Sequence, residues 1–326
     1  MNNTSPFDIY ALMNEKVVPY GVSLELTARC NLDCIHCYHV RCSGVEMHTD
    51  EVKQLLNDLA HLGTMELTLT GGEPFIRSDF AHIISYAVRT TGFSVKLFSN
   101  LTLLDESLAD ELATLPLNTV ETTLLGPDDA THDRLTRRSG SFDAVIRSIE
   151  MLKARDVPVT AKTVVMKPNE KKLNEMYQLA QKLNIPFRHD VTIFIESNGK
   201  RKPLSLQISG RELLRFKKRM EGYTRTFPVS CNAAKSVMSI SPDGSVYPCG
   251  PFQKPAGNIR AMKLEDIWYT SPLMKRVRLI KDKDYRECRA CVYFLKCQGC
   301  MAMGMGLSFG RKYRCRLARR RLRFLS

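Results

Sequence analysis

Short segments in which hydrophobic and polar residues alternate recur along the chain, and longer segments with helical periodicity separate them. The alternating segments are GVSLELT, MELTLT, FSVKLFS, NTVETTLL, VPVTAKTVVM and FRHDVTIFI. The helical ones are TDEVKQLLNDLAHLG, SDFAHIISYAVRTTG, DESLADELATL, GSFDAVIRSIEMLKARD and NEKKLNEMYQLAQKLN. A strand followed by a helix, repeated roughly six times, predicts an α/β fold with a parallel sheet and crossover helices.

The predicted strands carry polar residues where buried parallel strands are usually apolar throughout. These residues are Glu25, Glu66, Thr68, Lys96, Glu121, Lys162 and Arg188. A barrel of fewer than eight strands does not close, and a polar interior would suit a bound ligand. The alternative is that these residues face water at strand ends, because periodicity alone does not say which face lies inside.

The pattern divides the chain into four parts. Residues 1–20 form a lead, 21–200 a partial barrel, 201–227 a linker helix, and 228–326 a cysteine-rich region with a basic tail. Within the last part, SVMSISPDGSVYPC predicts a β-hairpin that turns at Pro242, Asp243 and Gly244.

Composition argues against a membrane or secreted protein. No run of about 18 apolar residues occurs, and MNNTSPFDIY lacks the basic and apolar regions of a signal peptide. We therefore predict a cytoplasmic protein. The formal net charge is +14, and residues 271–326 alone hold 16 Lys and Arg against 3 Asp and Glu. This tail suggests either a site for an acidic or phosphorylated partner or a solvated basic helix.

Cysteines are numerous and clustered, which in a reducing compartment favours metal binding over disulfides. Of the 11 cysteines, Cys30, Cys34 and Cys37 form a C-x3-C-x2-C motif directly after the first predicted strand. A structural zinc site needs four ligands, and His36, His39 or Cys42 are nominal candidates for the fourth. In α/β barrels, ligand sites lie at the carboxyl ends of strands, where this motif falls.

The spacing of these three cysteines resembles the signature of the radical S-adenosylmethionine (SAM) superfamily. The resemblance implies a partial (β/α)6 TIM-like barrel and a 4Fe–4S cluster on three thiolates. The open iron binds the amino and carboxylate groups of SAM, and reduction yields a 5′-deoxyadenosyl radical that abstracts hydrogen from a substrate. Cys42 fits no position of the motif and is expected to be a plain thiol, while structural zinc remains the alternative.

The same resemblance implies further contacts with SAM. They are Gly71, Gly72, Glu73 and Pro74 after the second strand, His36 beside the adenine, Ser99 and Asn100 after the third strand, Thr122 in the fourth, and Arg137 or Arg138 for the carboxylate. The residue types give no general acid or base, so the catalytic residues remain unassigned.

The later cysteines resemble the SPASM domain, an extension of radical SAM enzymes that holds one or two auxiliary 4Fe–4S clusters. By this resemblance Cys288, Cys291, Cys297 and Cys315 hold a distal cluster, and Cys231, Cys249 and Cys300 a nearer one. The last pair is spaced x2 here where x3 is usual, and the nearer cluster has three cysteines. Together the two resemblances span residues 21–315.

Relatives with this architecture modify ribosomally made peptides or proteins by crosslinking, oxidation or epimerisation, so a peptide or protein is the expected substrate. A reducing electron donor such as flavodoxin or ferredoxin is implied. No N-terminal recognition domain is seen, so either a separate peptide-recognition protein or a direct contact with the substrate is expected. One alternative is an enzyme that tailors a haem-type tetrapyrrole. Another is a non-enzymatic metal protein that binds nucleic acid through Arg-rich residues 311–323.

Overall fold

A computed structural model describes residues 6–38, 44–196, 198–208 and 231–280. The strands of its first part are β1 Gly21–Glu25, β2 Glu66–Thr70, β3 Ser94–Phe98, β4 Thr119–Thr123, β5 Val159–Val164 and β6 Phe187–Asp190. The helices are α1 Pro6–Lys16, α2 Thr49–His61, α3 Phe80–Arg89, α4 Glu106–Ala113, α5 Asp129–Thr136, α6 Ser141–Lys153 and α7 Leu173–Lys182. The six predicted strands are confirmed, although β6 is shorter than the pattern indicated.

The strands from β1 to β6 are parallel and lie in chain order. Their register places one apolar row across the sheet, with Leu24 opposite Leu69, Leu69 opposite Leu97 and Leu97 opposite Val120. These four side chains are fully buried in one core with residues of the surrounding helices. Because this face is buried against the helices, the alternate positions of each strand point to the opposite side of the sheet.

The predicted polar positions all lie on the opposite side of the sheet, which we call the inner face. The registers of neighbouring strands put Glu25, Glu66, Thr68, Lys96, Glu121, Lys162 and Arg188 on it. The prediction of a polar interior is confirmed over the six strands.

The sheet continues into the C-terminal part of the chain. There the elements are β7 Val237–Ile240, β8 Ser245–Tyr247, β9 Gly257–Asn258, α8 Leu264–Thr270 and α9 Pro272–Arg278. β7 pairs in parallel with β1, so that nine strands form one sheet in the order β6-β5-β4-β3-β2-β1-β7-β8-β9. The predicted hairpin is confirmed by the antiparallel pairing of β7 with β8, and its turn uses Gly244 at a φ of 80°.

Several predictions fall on residues that the structure does not describe. Most of the predicted linker helix, 201–227, falls within 209–230, and the described residues 202–206 at its start form a short 3₁₀ helix. Cys288, Cys291, Cys297, Cys300 and Cys315 and the basic tail lie in 281–326. Across the described ranges, no helix has the length and apolar character that crossing a bilayer would require.

Candidate functional site

The segment that carries Cys30, Cys34 and Cys37, which we call the cysteine loop, follows β1 at the carboxyl edge of the sheet. Cys30 and Cys37 are exposed and Cys34 is half-buried. Burial raises the pKa of Cys34 to about 12, and repulsion from Cys37 and Cys30 adds to the increase. The charges of the three sulfurs therefore oppose one another, and a bound metal centre would have to offset that repulsion to keep the thiols deprotonated.

The described residues offer no ready-made site for a single metal ion. No group of three or more His, Cys, Asp or Glu side chains in those ranges is arranged to hold one. His36 is neutral, because burial lowers its pKa to about 4, and its Nδ1 has no hydrogen-bond partner within the described part of the chain. The other nominal zinc ligands, His39 and Cys42, lie outside the described residues.

The C-terminal end of α5 holds the cysteine loop in place. The backbone N–H groups of Asp33 and Ile35 donate to the carbonyls of Thr136 and Leu135 at 3.2 and 3.0 Å. These bonds run alongside two side-chain contacts. Arg137 Nη1 lies 2.6 Å from Asp33 Oδ2, and Arg138 Nη1 donates to the Asn31 carbonyl at 3.1 Å. Both arginines that were predicted to meet the SAM carboxylate thus contact the loop itself.

Two glycines after β2 allow the chain to pack against the start of the cysteine loop. Gly72 N donates to Thr27 O and Glu73 N to Arg29 O, both at 2.8 Å. A Cβ on Gly71 would lie 2.4 Å from Thr27 O, and one on Gly72 would lie 2.1 Å from Arg29 O. Any side chain at either position would push the end of β2 away from the loop.

We expect Gly72→Ala to destabilise the protein by about 1–3 kcal/mol, as overpacking typically does, and to weaken iron retention. The added methyl group meets backbone, which cannot move aside as a flexible side chain can. Thermal unfolding and iron analysis after anaerobic purification measure both effects. Gly44→Ala is the matched control, because its nearest contact is an ordinary 3.4 Å to Asp243 Cβ. Equal behaviour of the two variants would contradict the packing argument.

Glu73 joins the ends of β2 and β3. Its side chain is fully buried and accepts from Ser99 Oγ at 2.7 Å, Asn100 N at 2.7 Å and Phe75 N at 3.1 Å. Burial raises its pKa to about 7, and the three donors oppose that shift. The carboxylate is thus engaged within the protein, and Pro74 beside it begins the short 3₁₀ helix Pro74–Ile76.

Asn100 connects β3 to the cysteine loop. Its Nδ2 donates to Asn31 Oδ1 at 2.9 Å and lies 3.8 Å from Cys30 Sγ as a donor. The predicted residues after β2 and β3 are therefore brought together with Cys30 in one hydrogen-bonded group.

Thr122 is not part of this group. It shares the face of Val120 and Ala161, is fully buried on the helix side of the sheet, and its hydroxyl has no partner among the described residues. Alternation along β4 instead puts Glu121 and Thr123 on the inner face. The sequence pattern did not identify which of the two consecutive threonines points inward.

The inner face holds two charged groups. Glu121, whose side chain is only 8% exposed, lies 3.5 Å from Lys162 Nζ and 3.4 Å from Arg188 Nη1. Lys162 Nζ also lies 3.0 Å from the centroid of the Phe98 ring, and burial lowers the Lys162 pKa to about 8 against the opposing effect of Glu121. Phe98 was missed from the sequence, since its place in an alternating strand predicts only its face.

The second charged group lies nearer the amino end of the strands. Glu66 accepts from Lys96 Nζ at 3.2 Å and from the hydroxyl of Tyr10 at 3.1 Å. Tyr10 comes from α1, so the lead segment contributes to the inner face, which the sequence did not indicate. Both groups give that face paired charges within reach of a polar ligand.

Two cysteines of the C-terminal part are described. Cys231 and Cys249 are half-buried and pack against the main core. Their segments are joined by a hydrogen bond from Ala234 N to Pro248 O at 2.9 Å. The turn before β7 and the end of the β7–β8 hairpin therefore lie side by side.

Comparison with known protein families agrees with the site. The model of the radical SAM superfamily matches residues 24–180, and that of the SPASM iron–sulfur cluster-binding domain matches residues 231–292. The chain belongs to the radical SAM superfamily. It is an enzyme whose radical SAM domain binds a 4Fe–4S cluster and SAM and whose SPASM domain binds auxiliary iron–sulfur clusters. This excludes the alternative of a non-enzymatic metal protein.

Relatives of this radical SAM enzyme include proteins named as heme synthases and proteins named as peptide cyclases. The AdoMet-dependent heme synthase of Methanosarcina barkeri is 26% identical over 87% of this chain and 91% of its own length. The PqqA peptide cyclase of Granulibacter bethesdensis is 24% identical over 84% of this chain and 79% of its own length. Among solved structures, Streptococcus suis SuiB bound to its precursor peptide SuiA has a TM-score of 0.73 at 17% identity, covering 95% of this chain and 79% of that one. The similarity to the SuiB structure confirms the fold.

Proposed function

We propose that this radical SAM enzyme modifies a peptide or protein by abstracting a hydrogen atom from it. The cluster and SAM supply the 5′-deoxyadenosyl radical for that abstraction. The observation that carries the proposal is the polar inner face of an incomplete barrel whose carboxyl edge bears the cysteine loop. The similarity to a peptide cyclase along most of both chains supports this substrate class.

In this proposal the cysteine loop holds the cluster through Cys30, Cys34 and Cys37. Since the Glu73 carboxylate already accepts from Ser99, Asn100 and Phe75, residues 71–74 would meet SAM through their backbone. His36 would lie beside the adenine as a neutral ring, and the arginines of α5 would support the loop.

The inner face would bind the substrate. The Lys162 and Arg188 side chains are 29% and 65% exposed, while Glu121 between them is 8% exposed. The cations therefore remain accessible as hydrogen-bond donors and Glu121 holds them in position. Such donors suit the carbonyl and carboxylate groups of a chain segment.

The auxiliary clusters would be held as the SPASM resemblance implies. Cys231 and Cys249 with Cys300 would hold the nearer one, and Cys288, Cys291, Cys297 and Cys315 the distal one. We further propose a low-potential electron donor such as flavodoxin or ferredoxin and a separate peptide-recognition protein as partners. Rates of SAM cleavage with each donor, and pull-down of the peptide with and without the recognition protein, test these partners.

The substrate proposal predicts a defined mass change. Anaerobic co-expression with each small open reading frame near the gene should yield one peptide that has lost a pair of hydrogens, as crosslinking or oxidation requires. Epimerisation would leave the mass unchanged in light water and add one deuteron in deuterated water. The matched control is the same co-expression with the Cys34→Ala variant. A set of peptides unchanged in both solvents, from an enzyme that cleaves SAM, would overturn the peptide assignment.

Tailoring of an iron tetrapyrrole is the second candidate, favoured by the similarity to heme synthases over most of the chain. Both candidate substrates, a peptide and a tetrapyrrole, would have to place a C–H bond beside the radical. Incubating the reduced enzyme and SAM with an iron tetrapyrrole that carries carboxylate side chains distinguishes the candidates. Loss of carbon dioxide from it would assign this substrate, and an unchanged tetrapyrrole beside a modified peptide would reject it.

A further inference from the structure

Asn100 makes a contact that the family resemblance did not predict. Its Nδ2 lies 3.8 Å from Cys30 Sγ as a donor, and the backbone N–H of Leu32 donates to the same sulfur at 3.5 Å. Cys30 therefore receives N–H donors both from its own loop and from the end of β3.

The hydrogen-bond network fixes the orientation of the Asn100 amide. Asn100 Oδ1 accepts from the backbone N–H of Thr102 at 2.9 Å and from the Thr102 hydroxyl at 2.7 Å. A backbone N–H can only donate, so the amide oxygen must face Thr102. The NH₂ group then faces Cys30 and Asn31, whose own Oδ1 accepts at 2.9 Å.

The backbone of Asn100 is also held. Its N–H donates to Glu73 Oε2 at 2.7 Å, and the preceding Ser99 Oγ donates to Glu73 Oε1 at 2.7 Å. Glu73 is fully buried and so is its bond with Ser99, while the bond from Asn100 N is half-buried. The donor is therefore held in place before any cofactor binds, rather than recruited by it.

An N–H donor directed at a cluster thiolate changes the energy of electron uptake. The reduced cluster carries one more negative charge than the oxidised one, and a donor dipole stabilises that charge. Hydrogen bonds to the sulfurs are among the factors that set the potential of an iron–sulfur cluster. Their removal should make reduction harder.

We propose that Asn100 is a positioning residue that acts through Cys30 to raise the one-electron reduction potential of the SAM-binding cluster. The proposal rests on the assignment of Cys30 as a cluster ligand. It concerns the cluster before SAM is added and so differs from a contact between Asn100 and SAM.

The test is an anaerobic redox titration of the full-length, cluster-loaded protein without SAM, with dithionite as reductant. Electron paramagnetic resonance is used to follow the signal that is absent from the Cys34→Ala variant, so that auxiliary clusters do not interfere. We expect Asn100→Ala to shift the midpoint to a more negative value. Asn100→Asp should shift it further, because it replaces the donor with a charged acceptor of the same shape.

Asn118→Ala is the matched control, since Asn118 lies at the other end of β3 and donates to Ser94 Oγ. Its midpoint should equal that of the wild type. The proposal is overturned if both Asn100 variants load iron normally and titrate at the wild-type midpoint. Loss of the cluster from both would also overturn it, because it would assign Asn100 to assembly. If the midpoints shift but no peptide is modified, the result counts against the substrate proposal and not against the role of Asn100.

Discussion

Cys34→Ala is expected to reduce the release of 5′-deoxyadenosine and methionine under anaerobic reduction to the level seen without protein. Three thiolates bind three of the four irons and leave the fourth open for SAM. With only two thiolates a second iron would lose its protein ligand, and the cluster would not be held in that form. Cys34 is also the half-buried member of the loop, where the neighbouring sulfurs and burial already disfavour its free thiolate. Chromatographic measurement of both products, with iron analysis of the same sample, gives the result.

Cys42→Ala is the control for this prediction. Cys42 lies five residues after Cys37 and outside the C-x3-C-x2-C motif, so its removal should leave product release at the wild-type level. Cys30→Ala and Cys37→Ala should behave like Cys34→Ala. Full product release by any of these three would refute the assignment of the loop as the cluster site.

Glu73→Ala is expected to lower the free energy of unfolding by about 3 kcal/mol near neutral pH. The change leaves two half-buried backbone donors, of Phe75 and Asn100, and the buried Ser99 hydroxyl without their acceptor. Each unsatisfied buried group costs about 1–3 kcal/mol, and neighbouring losses are not additive. Chemical denaturation under anaerobic conditions measures the difference, and Glu15→Ala on the exposed side of α1 should change stability by less than about 0.5 kcal/mol.

The cost of Glu73→Ala should depend on pH with a definite sign. Burial raises the pKa of the folded Glu73 from its ordinary value of 4.5 to about 7. Between these values the unfolded chain ionises first, so the wild type loses up to about 1.4 kcal/mol per pH unit as pH rises. The alanine variant lacks this slope, and its deficit should therefore be larger near pH 6 than near pH 8. A deficit that grows with pH would show that the carboxylate, not the acid, is the form stabilised by folding.

Strand alternation was the part of the sequence that carried most structural information. It predicted the six parallel strands and identified Glu66, Lys96, Glu121 and Lys162 as alternating polar positions, and the strand registers then placed them on a common face. It did not predict the pairing of β7 with β1, since parallel strands far apart in sequence share no local turn. The antiparallel hairpin of β7 and β8 was predictable because Pro242, Asp243 and Gly244 form its turn.

The candidate site was likewise predicted only in part from the sequence. The spacing of Cys30, Cys34 and Cys37 specified the loop, and the family resemblance drew attention to Asn100 and Glu73. Their partners followed only from three-dimensional packing: a hydrogen bond between Asn100 and Cys30 joins the loops that follow two different strands. Arg137 or Arg138 was predicted to meet the SAM carboxylate, and the pairing of Arg137 with Asp33 was not predicted because it depends on how α5 lies against the loop.

The parallel pairing of β1 with β7 also bears on how the protein is made. Gly21 to Leu24 lie between β2 and β7, so β1 has an unpaired edge until residues 237–240 have been synthesised. An exposed edge of this kind readily pairs with other chains, and pairing between distant segments is slow. During synthesis the nascent barrel is therefore prone to aggregate, and a shortened chain that ends at residue 208 would retain that hazard permanently. The C-terminal region thus protects the folding of the barrel in addition to any part it takes in holding metal.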